Sequence, residues 1–312
     1  MGKRARTKTR ATAAEAPPAG AVGPRQPCPC GSGRRYKACH GGEGTVPFVA
    51  RTFAGLPGEC DWVALREFVP AATAPLTVSG TERDVLLCSL LPMAYPAMVR
   101  PDGSVRIGLQ VQHSSGDVSR DIAYALEQAL RSEPGDTVSV GSLPRPGNRL
   151  QDLVDQGSLE VTVHDGFHFW VDDVDDPNGQ VAASLEQADA AADPTRRLTS
   201  VDAAYWCDVG TKEHLRWVMP HPEDQLLSAL ARLHVRGADS LGAGTRLVGS
   251  FRAHGLLVPV WDLPVGTGAE ALEEPAAAFG VRLDAALADD AALTTEERAA
   301  RAGLANRQLT IR

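Results

Sequence analysis

Apolar residues recur at helical spacing in several segments of the chain. In residues 117–131 and 222–235 they fall on one face of a helix with a period of about 3.6 residues. Pro222 suits a first helical position, and Gly237 follows the last periodic residue, as at many helix ends. The same reasoning predicts four further helices: 61–69, with Asp61 as cap and Pro70 as stop, 180–192, 270–287, and one that begins at the capping box 294–297.

Runs rich in β-branched and aromatic residues alternate with these helices. They predict strands at 85–91, 95–99, 104–111, 199–208, 214–219, 247–251 and 256–263. Turn sequences at 100–103 and 252–255 predict two hairpins. Asp165-Gly166, a type I′ turn signal, predicts a third hairpin across residues 161–171.

The resulting fold class is α+β. A helix, two strands and a helix are predicted near residues 61–131 and again near 222–287. We therefore expect a mixed body, residues 45–312, built from two related helix-strand-strand-helix halves, 45–178 and 179–312. The alternative is one irregular α+β domain.

Charge is distributed unevenly along the chain. Residues 1–45 carry nine Lys or Arg and two Asp or Glu, whereas the whole chain has a net charge of -8. Residues 1–26, rich in Ala, Pro and basic side chains, are predicted to be a disordered basic arm. This arm is either a solvating tail or a contact for RNA through residues 1–10.

The sequence gives no sign of membrane insertion or secretion. It has no apolar run near the roughly 18 residues of a membrane helix, and no apolar segment follows the basic N-terminus. We therefore expect a cytoplasmic protein, with Cys60, Cys88 and Cys207 as buried thiols in a reducing compartment.

Candidate metal ligands are closely spaced in residues 27–44, which we predict to be a small zinc module. Cys28, Cys30, Cys39 and His40 provide three thiolates and one imidazole within thirteen residues. Four such donors close a tetrahedral Zn²⁺ site and leave no position for water, so the single ion would be structural. A disulfide among these cysteines is the alternative, although the absence of a secretion signal disfavours it.

The stretch Cys-Pro-Cys-Gly-Ser-Gly-Arg-Arg-Tyr-Lys-Ala-Cys-His, residues 28–40, resembles the SEC-C motif, the zinc-binding tail of the SecA translocation ATPase. In SecA this module ends the chain and contacts the SecB chaperone and the ribosome, so the resemblance implies a protein or ribosomal partner here. Stretches 215–223 and 249–264 are similar to an uncharacterised actinobacterial family of SEC-C-containing proteins. Neither resemblance implies an activity.

The body shows no catalytic motif of an ATPase, a serine hydrolase or a zinc protease. In the predicted 161–171 hairpin, His164 and His168 point to opposite faces, which disfavours a joint metal site. His221 is either a turn residue or a group at a helix N-terminus, and His254 is expected to be exposed. The remaining candidates form either a binding surface or ordinary core on neighbouring strands: Asp202, Tyr205, Trp206, Arg216 and Trp217.

These observations favour a cytoplasmic zinc-binding adaptor, in which the module docks a protein or ribosomal partner. Two alternatives remain open. One is an enzyme whose active site is assembled from dispersed residues of the body, around His221 or the aromatic strands. The other is a nucleic-acid binder that acts through the basic arm.

Overall fold

The computed structural model describes residues 22–28, 33–42, 47–111, 115–139, 147–155, 157–171 and 180–309. The chain divides into two compact units, residues 1–48 and residues 49–312. The first unit contains the cysteine–histidine cluster. The second contains every α-helix and sheet strand of the described residues.

Seven α-helices lie in the described residues, all in the second unit. They are α1 (Glu59–Glu67), α2 (Val118–Arg131), α3 (Leu150–Leu153), α4 (Gln180–Ala190), α5 (Glu223–Val235), α6 (Glu273–Leu287) and α7 (Thr295–Asn306). Thr294 and Glu297 form the predicted capping box, because each side chain accepts a hydrogen bond from the other residue's backbone N–H. None of the helices has the length and apolar character that a bilayer crossing demands.

Eleven strands of the described residues form two sheets. The first sheet contains β1 (Ala72–Leu76), β2 (Val85–Cys88), β3 (Ala97–Val99), β4 (Val105–Gly108), β5 (Thr137–Val138) and β6 (Thr162–Val163). Its order is β5-β3-β4-β2-β1-β6, with a parallel pair at β2 and β4. The second contains β7 (Thr195–Arg197), β8 (Ala204–Asp208), β9 (Glu213–Trp217), β10 (Arg246–Ala253) and β11 (Leu256–Leu263). Its order is β10-β11-β9-β8-β7, antiparallel throughout.

Strand alternation gives the second sheet two different faces. On one face Leu215, Trp217 and Trp261 belong to the apolar core that also contains buried residues of α5, α6 and α7. On the other face Tyr205 and Val258 belong to a core shared with α1, α2 and the first sheet. The two faces therefore bury different sets of neighbouring residues, as expected from the period of two along a strand.

The α+β fold class is confirmed. Helices α2 and α5 and the hairpins at 97–108 and 246–263 also lie where the sequence predicts them. The two predicted helix-strand-strand-helix units differ in detail, because four strands separate α1 from α2 whereas two separate α5 from α6.

Asp61 is not the cap of the first helix. Helix α1 begins at Glu59 after Gly58, whose φ of 66° a glycine adopts without strain. Asp61 therefore lies inside the first turn, where its buried carboxylate accepts hydrogen bonds from Arg197 and from the Tyr205 hydroxyl. An aspartate in the first turn has the same favourable helix-dipole interaction as a cap, so the local sequence does not separate the two positions.

The predicted hairpin across residues 161–171 is wrong. Thr162–Val163 pairs with Ala72 and Thr73 of β1, and residues His168–Trp170 form a short 3-10 helix. Phe167 and Phe169 are buried in a small separate core. Burial of these aromatic rings outweighs the local turn preference of Asp165-Gly166, because a buried Phe contributes roughly 1.5–3 kcal/mol.

His254 is half-buried rather than exposed. It occupies the first position of a two-residue hairpin turn, with φ of 46°, and Gly255 follows with φ of 80°. The imidazole lies 5.1 Å from the Phe53 ring, centroid to centroid, and its Nε2 is 2.8 Å from Glu67 Oε1. The turn therefore packs onto α1 instead of pointing into solvent.

Candidate metal centre

Two short antiparallel segments present the metal-ligand cluster. The Cys28 backbone N–H donates to the Arg34 carbonyl at 2.7 Å, and the Tyr36 N–H donates to the Gln26 carbonyl at 2.8 Å. Gly33 lies between these segments with φ of 69°, in the left-handed region that a tight turn requires. Gly33 therefore adopts this backbone conformation without strain, whereas Gly31 lies outside the described residues.

A 3-10 turn over Tyr36–Ala38 delivers the second pair of ligands. The Tyr36 carbonyl accepts hydrogen bonds from the N–H groups of Cys39, at 3.0 Å, and Gly41, at 2.8 Å. A Cβ at Gly41 would lie 2.5 Å from the Tyr36 ring, so only glycine permits this close packing. The turn thus places Cys39 and His40 opposite Cys28.

The donor atoms converge on one point. His40 Nδ1 lies 3.2 Å from Cys28 Sγ and 3.4 Å from Cys39 Sγ, and all three atoms are within 4.8 Å of one another. A tetrahedral zinc with bonds of about 2.3 Å to sulfur and about 2.0 Å to nitrogen would separate such atoms by about 3.5 Å. The three described donors therefore fit a zinc ion. The fourth predicted ligand, Cys30, lies outside the described residues.

The metal donors are more buried than the charged side chains around them. Cys28 is buried, and Cys39 and His40 are half-buried. The charged side chains of residues 22–42 are all basic and all exposed: Arg25, Arg34, Arg35 and Lys37. The module therefore combines an inward-facing donor set with a positively charged surface.

Comparison with known families agrees with this geometry. The SEC-C motif matches residues 25–42, which confirms the resemblance seen in the sequence. A family of unknown function, DUF5926, matches residues 52–312, most of the chain. The chain belongs to the DUF5926 family. No curated protein and no solved structure matches this DUF5926 member.

The cysteines outside the module are not activated for nucleophilic chemistry near neutral pH. Cys88 and Cys207 are buried, and Cys60 is half-buried. Burial raises the pKa of the Cys60 and Cys88 thiols to about 12 and that of Cys207 to about 11. These side chains remain neutral thiols because the thiolate would lose its hydration.

His164 and His168 of the DUF5926 region are separated, though not by the predicted hairpin. His164 Nε2 lies 2.8 Å from Thr73 Oγ1, and its ring packs against Phe169. His168 is exposed. Among the described residues, Cys28, Cys39 and His40 are the group of three or more donors close enough to share an ion.

His221 lines a cavity of about 710 Å³ next to the start of α5. Trp217 and Met219 are among its apolar lining residues, and Cys60 and Asp202 are among its polar ones. An active site around His221, one of the two places that the enzyme alternative allows, would lie in this cavity. The neutral Cys60 thiol does not provide a nucleophile there at neutral pH.

The predicted aromatic surface is divided between the two faces of the second sheet. Trp206 and Trp217 pack with the helix-covered core, whereas Tyr205 belongs to the core on the opposite face. Arg216 alternates with Trp217 along β9 and lines a cleft beside Val260. The aromatic residues are therefore largely core, and Arg216 alone of this set faces that cleft.

Proposed function

We propose that this chain is a zinc-binding cytoplasmic adaptor whose N-terminal module docks a protein or ribosomal partner. The observation that carries the proposal is the arrangement of the module, with metal donors inside and four exposed basic side chains outside. Residues 22–42 contain no Asp or Glu. Such a surface favours an acidic protein face or ribosomal RNA over a neutral partner.

One structural zinc ion would be held by Cys28, Cys30, Cys39 and His40. Bound there, it would fix the turn that carries the basic side chains and so limit the entropy lost on docking. The buried free thiols Cys88 and Cys207 support a reducing compartment, in agreement with a cytoplasmic location.

Two alternatives compete with this role. The enzyme alternative is supported by the cavity beside His221, which is large enough for a small molecule. The nucleic-acid alternative rests on the five Lys and Arg side chains of residues 1–10. In that case the zinc ligands would not affect RNA binding, whereas the charges of the arm would dominate it.

Co-sedimentation with ribosomes distinguishes the module from the arm. We expect the full-length chain to sediment with ribosomes at physiological salt and the Cys39→Ser variant to remain in the supernatant. The variant keeps every basic residue of the arm, so loss of binding identifies the folded module as the contact.

The matched variant replaces Lys3, Arg4, Arg6, Lys8 and Arg10 with Gln and leaves the zinc ligands intact. We expect it to retain binding. Equal sedimentation of Cys39→Ser and the unmodified chain, with loss in the Gln variant, would assign binding to the arm. Absence of sedimentation by all three would exclude the ribosome as the partner.

A further inference from the structure

The second sheet has a cleft of about 490 Å³ at one end of the face opposite α5, α6 and α7. Its apolar lining consists of Val209, Val248, Phe251, Val260 and Leu309. Phe251 and Val260 are buried members of the core shared with the first sheet. The cleft therefore has a rigid apolar floor built on a sheet.

Strand register places charged side chains in one row across this floor. Asp262 of β11 pairs with Arg246 of β10 on one side and with His214 of β9 on the other. The next pair of β9 and β11 on the same face joins Arg216 to Val260. Directly paired residues of antiparallel strands share a face, so the two arginines and the histidine converge on the same cleft.

Positive charge exceeds negative charge in this row. Asp262 lies 2.9 Å from Lys212 Nζ and 3.7 Å from an Arg246 guanidinium nitrogen. Arg216 makes no ion pair with the described residues; its guanidinium contacts the Phe68 ring at 5.6 Å. Three permanent cations are thus opposed by one carboxylate among the residues that line the cleft.

His214 adds a neutral donor or acceptor to the row. Burial lowers the pKa of His214; Asp262 opposes this effect, and Arg216 and Lys212 reinforce it. His214 Nδ1 lies 3.1 Å from Asp262 Oδ1, yet at an angle outside hydrogen-bond geometry. The row therefore keeps its excess of positive charge, because Asp262 is the one carboxylate among the residues that line the cleft.

This local excess lies in a region with the opposite overall charge. Once the nine Lys or Arg of residues 1–45 are set aside, acidic residues outnumber basic ones in the remainder of the chain. A long polyanion would be repelled by that surrounding charge, whereas a small anion would meet only the local cations. The volume of the cleft also falls in the range of roughly 300–1,000 Å³ that small-molecule sites occupy.

We propose that this cleft binds a small organic anion. The guanidinium groups of Arg216 and Arg246 would hold its phosphate or carboxylate group, with Lys212 as a third cation. Planar guanidinium groups suit both anions because they donate two parallel hydrogen bonds. The apolar part of the ligand would lie on Val260 and Phe251. This inference is independent of the zinc module.

Calorimetric titration of the full-length chain tests the proposal with four probes. Phenyl phosphate and benzoate each join an anion to an apolar ring, inorganic phosphate lacks the ring, and benzylamine reverses the charge. We expect phenyl phosphate or benzoate to bind more tightly than inorganic phosphate, and benzylamine not to bind. The tighter of the two aromatic anions identifies the group that the cleft recognises.

Arg246→Gln locates the site, because the Arg246 side chain is 74% exposed and its loss does not disturb the core. We expect the Kd for the tighter probe to rise about tenfold, the loss typical of one charged hydrogen bond. Arg216→Lys, which keeps the charge but removes the planar fork, is expected to weaken binding as well. The matched control is Arg236→Gln at the end of α5, where the side chain is 56% exposed.

Three results would overturn the proposal. They are no binding of either aromatic anion at millimolar concentration, equal weakening by Arg236→Gln, and binding of benzylamine as tight as that of benzoate. A short RNA that binds the chain and loses affinity on Arg246→Gln would instead assign the face to nucleic acid.

Discussion

Removal of zinc is expected to unfold residues 22–42 while the second unit stays folded. In the described part of this segment, Cys28 is the one buried residue, so apolar burial does not offset the cost of ordering the chain. Metal binding must supply that free energy, which is about 10 kcal/mol or more for small zinc modules. The second unit has its own apolar cores and contains none of the predicted metal ligands.

Hydrogen exchange measured by mass spectrometry checks this expectation peptide by peptide. After chelation, peptides within 22–42 should exchange at the rate of an unfolded chain, whereas peptides from α5 and β11 should keep their protection. Cys39→Ser should reproduce the chelated pattern without chelator. Cys60→Ser, which alters a cysteine outside the module, is the matched control and should leave residues 22–42 protected. Protection that survives metal removal would show that the module folds without the ion.

Asp61→Ala is expected to lower the free energy of unfolding of the second unit by about 3–5 kcal/mol, the usual effect of breaking a buried ion pair. The Asp61 carboxylate is 7% exposed and lies 3.0 and 3.1 Å from two nitrogens of Arg197. It also accepts a hydrogen bond of 2.6 Å from the Tyr205 hydroxyl. Truncation would leave a largely buried guanidinium and a fully buried hydroxyl without this acceptor.

The ionisation of both partners reflects the same network. Hydrogen bonding to Asp61 raises the pKa of Arg197 despite its burial. Burial raises the pKa of Tyr205 well above its ordinary value, and the nearby Asp61 carboxylate raises it further. Asp61 therefore joins α1 to β7 and β8 through hydrogen bonds to a charged acceptor. An Asn at this position would accept weaker hydrogen bonds because it is neutral.

Chemical denaturation of matched variants compares the stability contributed by this buried network with that contributed by a surface charge. Asp202→Asn removes a carboxylate 3.8 Å from Arg197 that is fully exposed, so its effect should stay within about 0.5 kcal/mol. Tyr205→Phe removes only the hydroxyl and should cost about 1–3 kcal/mol. A loss for Asp61→Ala no greater than that for Asp202→Asn would contradict the role assigned to the network.

Features with local causes could be predicted from the sequence. The four candidate zinc ligands lie within thirteen residues, so their spacing alone indicates the metal centre. Helix α5 has its proline, its acidic first turn and its closing glycine within a few residues of its ends. The hairpin of β10 and β11 follows from two apolar runs joined by a turn that ends in glycine.

Features that depend on contacts between distant parts of the chain could not be predicted from the sequence. The partners of Asp61 lie 136 and 144 residues further along the chain, so its role depends on tertiary packing. Strand β1 was not predicted because Pro75 and two alanines lower its strand propensity. Strands β5 and β7 were not predicted because they have only two and three residues, too few to show a periodic pattern. The cleft at Arg216 depends on the register of three strands, which no single segment encodes.

X-ray absorption at the zinc edge, measured on the purified full-length chain, tests the metal centre most directly. We expect one zinc ion per chain with three sulfur ligands at about 2.3 Å and one nitrogen at about 2.0 Å. Cys30→Ser should reduce the sulfur count to two and so identify the ligand that lies outside the described residues. A chain that binds no zinc, or a zinc ion with a water oxygen in place of one of these ligands, would contradict a closed structural site.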